Sequence, residues 1–167
     1  MLVEQLSCVY YPSLNPSLFP YSSKITKENP VKRVLNIDDD QSILNLLKTI
    51  LSEDKKLKIF TANDPFEAMD ILNHQVVDTI ILDWTLPGLT GPETLNRAER
   101  TLKSDPDVPY EWEDKKVKVI LFTGKERSEC KTSSTRHFRY SGYVGKKNAG
   151  YEIILPSLMK LLYKSDI

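Results

Sequence analysis

No stretch of this 167-residue chain approaches the roughly 18 consecutive apolar residues of a membrane span, and its start lacks the basic residues and apolar run of a secretory leader. A cytoplasmic chain with no membrane partner is expected. Neither sign of charge is in excess. With 23 basic and 23 acidic residues, no global field draws the chain to nucleic acid, and no direct nucleic-acid binding is expected. Cysteine is scarce: Cys8 and Cys130 lie far apart without metal-ligand spacing, which fits a reducing compartment and unpaired thiols. His74 and His137 stand alone, without Cys or carboxylate spacing, and read as structural or surface residues. Glycine is too sparse for a phosphate-cradling P-loop, since GKE (124–126) and GKK (145–147) lack both the earlier glycine and the following Ser or Thr.

What is present divides at about residue 30. Residues 1–30 carry Tyr10, Tyr11, Phe19 and Tyr21 among several prolines, with Ser and Asn between. Proline disfavours helix at the residue before it, so this segment reads as an extension to the domain. From Val31 onward, apolar runs alternate with helical patterns. VKRVLNI (31–37) is a β-rich run, and QSILNLLKTILSE (41–53) places Ile43, Leu44, Leu47, Ile50 and Leu51 on one helical face. LKIFTA (57–62) is a second strand. A second helix follows, with Asp64 as N-cap, Pro65 at the first helical position and Glu67 three residues after the cap. VVDTIIL (76–82) reads as a strand buried on both faces.

A third helix is expected from Gly91 through Leu102, a fourth strand over 117–122 and a fifth strand over 141–145. Between those strands KERSECKTSSTRHF (125–138) reads as a fourth helix, weak because it is rich in Ser and Thr. YEIILPSLMKLLYK (151–164) is the fifth, with Pro156 tolerable if the helix begins near Glu152. Five such alternations predict an α/β fold with a doubly wound parallel sheet and helices on both faces. Ligands of such sheets bind beyond the carboxyl ends of the strands.

Those ends are rich in oxygen ligands. The first strand runs into Asp38, Asp39 and Asp40, the third into Asp83, the fourth into Thr123, and Lys146 follows the fifth. Crowded carboxylates repel unless a cation neutralises them. Magnesium, which takes one or two carboxylates and keeps several waters, suits Asp39 and Asp83, with Asp38 acting through water. Asp40 fits a helix cap instead.

In that order the residues resemble the receiver domain of two-component response regulators, the chemotaxis-type, flavodoxin-like fold. The motif elements are the pair Asp38 and Asp39, then Asp83 with LPGLTG, then Thr123 with Gly124, then Lys146 after Tyr143. The resemblance covers roughly residues 31–165 and implies a five-stranded sheet of order 2-1-3-4-5. It implies that Asp83 accepts a phosphoryl group from a sensor histidine kinase or a histidine phosphotransfer protein. Mg2+ would be held by Asp38, Asp39, Asp83 and the backbone carbonyl of Thr85. Lys146 would pair with Asp83 and then with the phosphoryl group, Thr123 would donate its hydroxyl, and Tyr143 would swing inward as the switch. A phosphoacceptor is implied, not an enzyme, acting by partner binding or by homodimerisation through the fourth helix, fifth strand and fifth helix; the output partner is unknown.

The chain departs from the family at three places. The interval from Asp83 to Thr123 is longer than usual, and KSDPDVPYEWEDKK (103–116) carries the excess; it should lie at the pole opposite the site and affect partners, not chemistry. Lys147 stands where the family usually has proline, and Gly145 replaces a larger residue, so Lys146 is expected to be held less rigidly. Two rival readings stay open. One is a receiver fold that binds partners without phosphorylation. The other is a Mg2+-dependent phosphatase of the haloacid dehalogenase type, imitated by Asp38, Asp40 and Ser42 but short of a later acidic pair.

Overall fold

A computed structural model describes residues 31–104, 109–147 and 151–164. The readings placed on 1–30, Cys8 included, lie outside them. Five strands form one sheet in which every pairing is parallel: β1 (Lys32–Ile37), β2 (Leu57–Ala62), β3 (Thr79–Leu82), β4 (Val117–Thr123) and β5 (Phe138–Gly145), in the order β2-β1-β3-β4-β5. Four α-helices accompany them: α1 (Gln41–Leu51), α2 (Pro65–His74), α3 (Gly91–Ser104) and α4 (Tyr151–Tyr163). No helix among the described residues is long and apolar enough to cross a membrane.

The helices form where the local chemistry starts and stops them. Asp40 caps α1, its carboxylate accepting from the Ser42 N–H. Asp64 caps α2 by accepting from Phe66 and Glu67, while Glu67 reaches back to the Asn63 N–H. In α1 the buried positions are Leu44, Leu47 and Leu51, with Ile43 and Ile50 at the margin. Pro156 falls inside α4, beyond its first turn, so its missing N–H takes one helical bond from the carbonyl of exposed Glu152.

Two apolar layers sandwich the sheet. One joins it to α2 and α3 through Leu35, Ile37, Leu72, Leu95 and Val119; the other joins it to α1 and α4 through Val34, Leu47, Ile120, Phe122 and Leu158. At the end of α4, Lys32 and the buried Lys118 donate to its last carbonyls, Lys32 to Leu162 at 2.6 Å and Lys118 to Leu161 and Lys164. Cations at a helix C-terminus are favoured by its dipole.

The fourth helix is absent. Residues 125–138 contain only a short 3-10 turn, Arg127–Glu129, followed by extended chain, and β5 begins at Phe138, earlier than expected. The physical cause is the competition that Ser and Thr side chains offer to backbone pairing. The Ser134 hydroxyl accepts from the Tyr140 N–H at 3.3 Å and the Thr135 hydroxyl from the Phe138 N–H at 3.1 Å. Together they cover the outer edge where β5 starts. The fourth helix expected to contribute to a dimer face is therefore not formed, while the other two expected elements, β5 and α4, are.

The insertion also differs from a simple surface loop. Its described part includes Trp112, which is buried in the α2–α3 layer with edge-on contacts to His137 and Phe138. It does lie at the amino pole of the sheet, where Lys115 pairs with Asp78 just ahead of β3.

Candidate functional site

β1 and β3 are neighbours in register, Ile37 opposite Leu82, so the residues that follow each of them emerge side by side. The Asp83 N–H donates to the Ile37 carbonyl at 2.8 Å. Asp38 is 1% exposed and Asp83 8%, while Asp39 is exposed. One carboxylate oxygen from each of the three lies within 4.8 Å of the others. Asp38 is steadied by the Asp40 N–H at 3.0 Å, and Asp83 by a longer contact from the Thr85 N–H at 3.4 Å.

Lys146 arrives from β5, two strands away from β3. Its N–H donates to the Thr123 carbonyl at 2.8 Å, one rung past the β4–β5 ladder. Its ammonium bridges Asp38 Oδ2 at 2.6 Å and Asp83 Oδ2 at 2.7 Å. Burial raises the Asp38 pKa above the ordinary carboxylate value, and the bonds from Lys146 only partly offset it. At Lys146 burial favours the neutral amine, but the bonds to Asp38 and Asp83 outweigh it and raise its pKa. Lys146 is thus held by two carboxylates although Lys147 and Gly145 stand where the family has other residues; a Cβ on Gly145 would meet the Tyr143 hydroxyl at 3.3 Å.

The LPGLTG loop explains its own glycines. Gly88 has a φ of +75°, in the left-handed region. A Cβ on Gly91 would lie 2.2 Å from the Asp83 carbonyl oxygen and 2.8 Å from Leu82 Cγ, so α3 can start against the strand end only with glycine there. Thr90 and Glu93 cap α3 reciprocally. A bridge between Thr85 and Thr90 closes through Gly91 N–H to Trp84 and Leu86 N–H to Leu89, which leaves the Thr85 carbonyl outside the bridge.

Thr123, 1% exposed at the end of β4, accepts from the Lys125 N–H at 3.3 Å. That use of its oxygen leaves its own O–H to donate elsewhere. The Tyr143 hydroxyl donates to the Lys125 carbonyl at 2.5 Å, and the ring packs half-buried against the core, with burial raising the phenol pKa. Asp38, Asp39, Asp83, Thr85, Thr123 and Lys146 line one open cleft of about 580 Å³, whereas Tyr143 lines a separate, smaller pocket with Arg127, Cys130 and Tyr140.

Three cleft residues were not visible beforehand: Lys125, Glu129 and Lys147. The turn that carries two of them has no strong local pattern. Its capping box of Glu126 and Glu129 is the one signal that could have placed it. His137 is a structural residue as expected, but it does not stand alone. It is buried, and its partner is the equally buried Glu99 from α3, at 3.1 Å. The exposed His74 lies 3.5 Å from Asp70 within α2.

Residues 34–154 match the family model for the response regulator receiver domain. A protein-glutamate methylesterase/protein-glutamine glutaminase of Bradyrhizobium diazoefficiens is 38% identical over 66 residues, which is 39% of this chain and 18% of that protein. The chain therefore spans about a fifth of that curated relative. The chemotaxis protein CheY of Pseudomonas aeruginosa is 28% identical over 53% of this chain and 73% of its own. Among solved structures, the response regulator protein TrrA of Thermotoga maritima, determined in complex with Mg2+ and BeF, is 28% identical over 78% of this chain and 98% of its own, with a TM-score of 0.53.

Proposed function

The chain belongs to the response regulator receiver domain family, and on that premise we propose that Asp83 accepts a phosphoryl group from a phosphohistidine of a sensor kinase or phosphotransfer protein. Residues 31–167 would be the receiver and 1–30 an extension of it. One observation carries the reading: a single ammonium, Lys146, bridges two of three converging carboxylates and leaves the cluster short of positive charge. The donors are all oxygens, at one exposed and two buried acids beside the Thr85 carbonyl, in a cleft roomy enough for water. That set fits a hard divalent ion such as Mg2+, held by Asp39, Asp83 and Thr85, with Asp38 behind them. When bound, the ion would offset the charge that develops on the phosphoryl oxygens.

The chain's own residues do the rest. An Asp83 oxygen forms the new O–P bond as the P–N bond to the imidazole breaks, and the imidazole nitrogen keeps the electron pair. Lys146, already 2.7 Å from Asp83, needs only a small shift to follow the charge onto the phosphoryl group. The Thr123 O–H donates to a phosphoryl oxygen, since its lone pair is already engaged by Lys125. Tyr143, tied to the Lys125 carbonyl, reports the resulting movement to the surface beside β5. The chain then serves as a phosphoacceptor whose output is a change in partner binding or self-association.

Incubation with acetyl phosphate and Mg2+ should add one acid-labile acyl phosphate, seen by intact mass, and Asp83→Asn should abolish it. Labelling that survives in the variant would move the acceptor elsewhere. Absence of labelling in the unaltered protein would favour a phosphorylation-independent binding module.

A further inference from the structure

Glu99 lies on α3, is 5% exposed, and has no part in the cleft. Its carboxylate takes three hydrogen bonds from one short piece of chain: from the Thr135 hydroxyl at 2.7 Å, the His137 N–H at 3.1 Å and the His137 ring at 3.1 Å. The His137 ring in turn stands edge-on to Trp112 of the insertion, centroids 6.0 Å apart at 85°, and Arg136 donates to the Glu113 carbonyl at 3.0 Å. α3, the insertion that follows it and the chain leading into β5 thus meet at the amino pole.

The same chain begins at the site. Lys125 sits between the Thr123 hydroxyl, on its N–H, and the Tyr143 hydroxyl, on its carbonyl. From Glu126 to Arg136 nearly every residue is exposed, and between its two ends the segment is tied to the core through the half-buried Cys130, just after the 3-10 turn. A segment with so few buried groups sits toward the low-stability end of a domain, and a change of contacts at one anchor shifts which of its positions are populated at the other.

We propose that Glu99 is the positioning residue that clamps the far end of this segment, so that occupation of Asp83 is transmitted through residues 124–137 to Trp112 and the insertion at the opposite pole. The inference rests on Asp83 as the phosphoacceptor and extends it: the output would emerge at residues 109–116 as well as beside β5. A buried carboxylate is costly to leave short of donors, so loss of these three bonds from Glu99 is opposed.

The chain holds only two tryptophans, Trp84 and Trp112. Trp84→Phe therefore leaves Trp112 as the sole emitter, and it lies at the far pole from the mimic. Full-length protein carrying Trp84→Phe is titrated with beryllium, fluoride and Mg2+, and bound fluoride is read independently by fluorine NMR. Bound mimic should change Trp112 emission, because the imidazole edge-on to its ring shifts. Glu99→Gln, added to that background, should keep the fluoride signal and reduce the emission change several-fold. Should Glu99→Gln fail to fold by circular dichroism, Thr135→Val removes one of the three bonds and should reduce the response less but in the same direction. Mimic bound with Trp112 emission unmoved, or equal responses with and without the clamp, overturns the proposal. No fluoride signal at all means that Asp83 is not the acceptor, and the proposal falls with that reading.

Discussion

At the amino pole of the sheet each buried or half-buried charge meets partners built into the fold. Asp78 accepts from the Arg33 N–H and pairs with Lys115, Glu99 takes three donors, and Lys118 lies on the carbonyls at the end of α4. At the carboxyl pole three carboxylates converge within 4.8 Å while one ammonium serves two of them. Both poles remove charge from water, which is costly without compensation. The amino pole is finished by the chain alone. The carboxyl pole keeps more carboxylates than cations paired with them, and the proposed Mg2+ site rests on that deficit.

The contrast can be broken most severely at Lys146. Lys146→Met leaves Asp38 and Asp83 facing each other without a counter-charge and should cost roughly 3–5 kcal/mol of stability in metal-free buffer, read by urea denaturation. Added Mg2+ should recover part of that loss; a variant as stable as the parent would mean that the bridge contributes nothing to the fold. Next in size is the effect of the ion on the unaltered chain. Mg2+ at about a hundred times its dissociation constant should stabilise by roughly 2.7 kcal/mol. Asp39→Ala, at the exposed member of the cluster, should weaken that response without lowering metal-free stability, since it removes one of three mutually repelling carboxylates. An undiminished response would remove Asp39 from the site.

The smallest effect belongs to the finished pole. Lys115 and Asp78 are each about 30% exposed, and Lys115→Ala should cost about 1 kcal/mol or less, with no influence of Mg2+ on the difference. A larger loss would mean that the amino pole depends on this pair more than its exposure allows.

Much of this was readable in advance, and the reason is locality. Asp64 declares a helix start because its partners lie two and three residues away, and VVDTIIL declares a buried strand by its own apolarity. The Pro-Gly loop after Asp83 is likewise a local signal, because Gly91 answers a clash with the residue ending the neighbouring strand. The helix expected over 125–138 failed partly for a non-local reason: besides the local bond it accepts from Phe138, the Thr135 hydroxyl donates to Glu99, which α3 supplies. His137 read as solitary because its carboxylate is supplied by α3. Trp112 read as part of a partner-facing loop because nothing near it in the chain predicts that it closes the core over Phe138.

Periodicity and composition alone were enough to put Asp38, Asp83, Thr123 and Lys146 each at or just beyond a strand end, since a strand's exit is written in the residues that form it. That Asp38 and Asp83 share one ammonium is decided elsewhere. It follows from β1 lying beside β3, and from β5 being hydrogen-bonded to β4 so that Lys146 reaches back across two strands. The same holds for the clamp on Glu99. Distances between residues far apart in the chain depend on which strands and helices become neighbours, and only the folded packing of the whole sheet supplies that.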